Sequence, residues 1–84
     1  MAMDQRLAKA LIHPLRALAL SILSEEATSP NRIAKKLDAN VSNVAYHVKV
    51  LKELGFIELV ETRQRRGAIE HFYRATEPAP KGRR

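Results

Sequence analysis

Two capped helical stretches, separated by a gap too short for anything but a tight turn, constrain this chain more than any other feature. The later stretch runs from Asn40 to Gly55. Asn40 can accept from the orphan N–H groups of a first turn, and Gly55 supplies the left-handed residue that ends a helix. About four turns lie between them. The earlier stretch opens with Ser29-Pro30, a cap followed by a first-turn proline, and runs to about Leu37. It directs Ile33, Ala34 and Leu37 inward and Arg32, Lys35 and Lys36 outward. Asp38-Ala39-Asn40 then leaves the spacing of a helix-turn-helix pair, with small Ala39 where the two helices must approach.

On a helical wheel of about 100° per residue, Val41, Val44, Ala45, Val48 and Leu51 fall on one side of the later helix, with Leu54 at its margin. That side is expected to enter the core. The other side carries Ser42, Tyr46, Lys49 and Glu53 in one line, flanked by Asn43 and Val50. Hydroxyl and amide groups of this kind can bond base edges or phosphates. Ser42, Asn43 and Tyr46 are therefore candidate contacts, and Lys49 suits a phosphate better than a base. His47 lies at the edge of the apolar side, where packing and a phosphate contact both remain open.

Before this pair, Leu7, Ala8, Leu11 and Ile12 recur at helical spacing over Asp4 to Ile12, until His13-Pro14 interrupts. Pro14 suits the first position of a second helix, reaching about Ser24, with Leu15, Leu18, Ala19, Ile22 and Leu23 giving a broad apolar face expected to be central to the core. A single kinked helix is the alternative, because Leu7, Leu11, Leu15, Leu18 and Ile22 nearly continue one stripe. Glu25 to Thr28 reads as a connection containing a short extended piece. After Gly55, Phe56 to Arg63 and Ala68 to Arg74 are rich in strand formers, joined by the polar link Gln64-Arg65-Arg66-Gly67. They predict a two-stranded ribbon with Arg65 and Arg66 at its tip and Arg63 at its base. Like charges crowded at such a tip would be relieved by an anion. Residues 77–84, with two prolines, a glycine and no apolar period, are expected to form a disordered basic tail behind one domain at 1–76.

Fifteen Lys and Arg against nine Asp and Glu give a net charge of +6, which favours an anionic partner, nucleic acid before membrane. A small domain buries only about 60% of its unfolded surface, so dimerisation would help the core. The chain has no cysteine, so disulfides and thiolate-held zinc are excluded, and a cytoplasmic setting fits. His13, His47 and His71 sit in three different elements without metal-site spacing, so neither a metal nor a cofactor is expected. No phosphate loop, nucleophile motif or carboxylate pair suggests an enzyme. No apolar run approaches the roughly 18 residues of a membrane span.

The order of elements, mainly α with a small β-ribbon, is that of a winged helix-turn-helix: four helices followed by a two-stranded wing. Ala10-Leu11-Ile12-His13-Pro14-Leu15-Arg16, then Val41-Ser42-Asn43-Val44-Ala45-Tyr46-His47-Val48-Lys49-Val50-Leu51, then Leu54-Gly55-Phe56-Ile57, resemble the DNA-binding domain of ArsR-type bacterial transcription regulators. The resemblance covers about Leu7 to Ala75. It implies that the fourth helix enters the major groove of double-stranded DNA, with Ser42, Asn43, Tyr46, His47 and Lys49 as contact residues. It also implies a wing that brings Arg63, Arg65 and Arg66 to phosphates or the minor groove. Metal-sensing members carry cysteines on the helix before the recognition helix. Ser29 to Leu37 has none, which excludes sensing by that route. Many members close a dimer interface with a further C-terminal helix, where this chain has a polar tail. Leu7, Leu11 and Ile12 on the first helix are then the expected homodimer surface. The expectation is a sequence-specific transcription regulator, and the alternative is a winged-helix module that binds another protein. RNA binding would need stacking surfaces from Tyr46, Phe56, Phe72 and Tyr73, most of which are expected to be packed.

Overall fold

Proline and cap chemistry set nearly every helix boundary in the computed structural model, which describes residues 5–76; the expected basic tail at 77–84 lies outside the described residues. The elements are α1 (Gln5–Leu11), α2 (Pro14–Glu25), α3 (Pro30–Leu37), α4 (Val41–Glu53), β1 (Ile57–Arg65) and β2 (Ala68–Ala75). His13 is extended, as a residue before proline must be, and its Nδ1 accepts from the Leu15 N–H at 3.3 Å. The residue expected only to break the helix therefore also caps the next one. α1 and α2 are bent by 103° at this break, so they are two helices and not one kinked rod. No single helix is long and apolar enough to cross a membrane.

Ser29 Oγ accepts from the Arg32 N–H at 3.3 Å and opens α3, with Pro30 in its first turn. Asp38 takes the left-handed conformation (φ 53°) at the other end, where its short polar side chain tolerates it. Asn40 Oδ1 accepts from the Asn43 N–H at 3.1 Å to start α4. Gly55 (φ 88°) ends α4 in a Schellman motif: the Phe56 N–H donates to Leu51 O and the Gly55 N–H to Lys52 O, each at 3.0 Å.

β1 and β2 form one antiparallel hairpin. Leu59 pairs with Tyr73 and Glu61 with Phe72, so Val60 is the extra residue of a bulge. That bulge is the physical reason the apolar alternation along β1 is imperfect. Pairing continues through Gln64–Ile69 and Arg65–Ala68, leaving only Arg66 and Gly67 (φ 64°) at the turn, a shorter tip than the expected Gln64 to Gly67 link. The extended piece expected near Thr28 is present. Thr28 exchanges both backbone hydrogen bonds with Tyr73, at 2.8 and 3.0 Å, and so stitches the α2–α3 connection to β2.

The core collects Ala10, Ala19, Leu23, Ile33, Ala34, Val44, Val48, Leu51 and Ile57, with α4 packed between α2 and α3. One expectation is corrected here. α4 buries Val44, His47, Val48 and Leu51, whereas Val41 and Ala45 are exposed. The buried arc is rotated toward His47 because the start of α2 packs on that flank, with the His13 and His47 rings 4.1 Å apart.

Candidate nucleic-acid interface

The rotation of α4 leaves an exposed arc of Val41, Ser42, Ala45, Tyr46, Lys49 and Glu53, with Asn43 exposed beyond it. Tyr46 is 58% exposed, and its ring meets His47 edge-on at 5.1 Å. Among the described residues, no intramolecular hydrogen bond engages the side chain of Ser42, Asn43 or Tyr46. The main chain beneath them is held by the Asn40 cap, so these polar groups stand on a rigid support with their bonding capacity unspent.

His47 does not share that situation. It is only 6% exposed, and its Nδ1 accepts from Arg16 Nε at 3.2 Å, while Arg16 Nη1 donates to Lys9 O at 2.6 Å. The candidate contact residue is thus a packed one, engaged with the α1–α2 elbow. Neither its capping neighbour His13 nor Arg16 was singled out as a partner from the sequence. No local pattern links positions 13, 16 and 47, although His-Pro-x-Arg at a helix start does put both polar groups on one turn.

The wing is also partly committed. Glu70, whose side chain is 10% exposed, accepts from Ser29 Oγ, from Arg32 Nε at 3.1 Å and from Arg65 Nε at 2.8 Å. It ties β2 to the start of α3, a role that nothing in the sequence announced. Arg63 pairs with Glu61 and lies over the Phe72 ring at 4.4 Å, beside Arg32 at 5.3 Å. The crowd of like charges expected from Arg65 and Arg66 is thereby reduced: Arg65 is balanced by Glu70 across the hairpin, and Arg63 by Glu61 two residues back on its own strand. Arg66 stands at the turn, and among the described residues no acid pairs with it. Between α4 and β2 lies an open groove of about 400 Å³, lined by Val41, Ala45, Lys49, Lys52, Ile69 and His71. Among the described residues, no cluster of three or more His, Asp or Glu could hold a metal ion.

The expected dimer residues are unequally presented. Ile12 is 79% exposed and Leu11 43%, but Leu7 is half-buried against the fold. Leu18, 51% exposed on α2, joins them, a correction to the apolar face expected to lie in the core.

Burial, with His13 and Arg16 beside it, holds the His47 imidazole below its ordinary value of 6.5. The unfolded chain therefore binds a proton that the folded one resists, so stability is full above about pH 6.5 and declines as the pH falls below it. Hydrogen bonds from Ser29, Arg65 and Arg32 hold the Glu70 carboxyl down at about 2. Its contribution is full above the ordinary 4.5 and is lost as the pH falls toward 2. Thermal melts from about pH 8 down to about pH 2 should show both declines. His47→Gln should remove only the first and Glu70→Gln only the second.

A family model described as a helix-turn-helix domain matches residues 11–60. The crystal structure of the transcriptional repressor BigR from Xylella fastidiosa aligns with a TM-score of 0.67 at 30% identity, over 87% of this chain and 69% of that one. The cadmium metal-sensor CMTR from Mycobacterium tuberculosis aligns at 0.67 and 28% identity, over 88% and 72%. The homodimeric winged helix-turn-helix DNA-binding domain Mb0332 from Mycobacterium bovis aligns at 0.66 and 23%, over 87% and 63%, a likeness of fold. No curated protein matches the chain.

Proposed function

This chain belongs to the ArsR-type winged helix-turn-helix transcription regulators, a DNA-binding family, and from that premise we propose that it recognises a specific double-stranded operator with α4 in the major groove. The observation that carries the reading is the exposed arc of α4, where Ser42 and Tyr46 keep free hydrogen-bonding groups beside Lys49. The β1–β2 turn grips the flanking backbone through Arg66. Arg63 and Arg65 hold the wing in shape through their carboxylate partners as much as they contribute charge. Phosphate contacts supply affinity and groove contacts supply selectivity. The protein regulates by occupancy and not by catalysis, and it works in the cytoplasm. Without cysteine it does so independently of a thiolate-held metal.

Two copies bind together, as the homodimeric state of Mb0332 supports. Leu11, Ile12 and Leu18 offer the apolar surface for that contact. A two-fold dimer then needs half-sites about one helical turn, or a multiple of it, apart. Titrating duplex binding against salt tests the reading. A steep log-log slope is expected, reduced by about 0.9 unit per half-site in Arg66→Ala and by less in Arg65→Ala, whose charge Glu70 already balances. A slope near zero would end the DNA reading in favour of a protein-binding module.

A further inference from the structure

Two apolar side chains stand on the part of α4 that has no core to face. Val41 is 43% exposed at the first position of the helix, and Ala45 is exposed one turn later. Both line the groove that opens toward the wing, with Ile69, 54% exposed, across from them. The core is complete without this pair, since Val44, Val48 and Leu51 from the same helix are buried in it. Leaving such carbon in water gains nothing for the monomer. On the surface that the preceding reading gives to DNA, however, it meets a groove in which one protruding carbon substituent is apolar.

That group is the C5 methyl of thymine. Apart from the small C5–H of cytosine, the other groups that tell base pairs apart in the major groove are hydrogen-bond donors or acceptors, which Ser42 and Tyr46 on the adjoining line can serve. Residues four apart share a helix face and are about 6 Å apart along the axis, close to two base steps of about 3.4 Å. We propose that Val41 and Ala45 are specificity-determining residues that read the methyl groups of thymines one or two steps apart, forming an apolar lane beside the polar one. The proposal rests on α4 lying in the major groove. It adds that part of the selectivity comes from burying carbon and not from hydrogen bonds. Lys49 and Lys52, which border the same groove, keep the flanking phosphates near without choosing a base.

The probe is the tightest-binding duplex selected from a random pool by the wild-type chain, remade with deoxyuridine in place of each thymine in turn. This change deletes a methyl and leaves every hydrogen-bonding group of the base pair. At one or two positions per half-site the deletion should weaken wild-type binding about 4-fold, the value of one buried carbon. Val41→Ala should bind the unmodified duplex more weakly by a similar or larger factor. It should also lose its sensitivity to deoxyuridine at one of those positions, while keeping the wild-type melting temperature. Uniform indifference of the wild type to deoxyuridine would overturn the proposal, and so would full sensitivity retained in Val41→Ala. Both of those outcomes leave the DNA reading intact. Failure to enrich any duplex would overturn that reading together with this one.

Discussion

Leu51→Ala is expected to lower the unfolding free energy by about 2–5 kcal/mol, the range for emptying a buried leucine site that relaxes only in part. Leu51 is fully buried in the core shared by Leu23, Ile33 and Val44, and its carbonyl also takes the Phe56 N–H that closes the end of α4. A domain of this length has a margin of roughly 0.05–0.15 kcal/mol per residue, so the loss consumes a large part of the whole. Urea titration followed by circular dichroism should show either a midpoint shifted far down or a chain unfolded without denaturant. Tyr46→Ala, removing a larger but exposed side chain, should stay within about 0.5 kcal/mol of wild type. A loss below about 1 kcal/mol for Leu51→Ala would mean that α4 is not seated on the core as described. Dimerisation would add its own concentration-dependent margin, so both variants belong at one protein concentration.

Tyr46→Ala combined with Asn43→Ala should have the opposite profile. Both side chains are exposed, and the Asn40 cap bonds the main-chain N–H of Asn43 and not its amide, so the helix survives both changes. Discrimination between the selected duplex and a random one should fall about 10- to 100-fold, as losing one or two base contacts implies. Fluorescence anisotropy with both duplexes at one salt concentration measures it. Binding to the random duplex should change little, because phosphate contacts carry it. An equal loss on both duplexes would take base reading away from this helix.

Much of the fold was legible because its punctuation is local. Ser29-Pro30, Asn40 and Gly55 each act on N–H or C=O groups within a few residues, so α3 and α4 begin and end where the sequence suggests. The hairpin was equally visible, but its bulge at Val60 was not, since two partners of one strand must be paired before an extra residue shows. The candidate interface was legible in outline through the line Ser42, Tyr46, Lys49. Its edges were less legible: His47, open between packing and a phosphate contact, packs inward, while Val41 and Ala45, expected inward, face outward.

Those edges mark the division between what the chain alone determined and what only tertiary contact decided. Helix limits, the turn between α3 and α4, the strand pair and the polar line on α4 follow from forces acting over a turn or a hairpin. Which flank of α4 is buried depends on Arg16 and His13 arriving from the start of α2, and how the wing is held to α3 depends on Glu70 meeting Ser29 and Arg32. A wheel gives an apolar side no exact centre when Val41, Ala45 and Val48 span much of its width. The packing partner chooses the arc, and here that partner lies more than two dozen residues away in sequence, where periodicity carries no information about it.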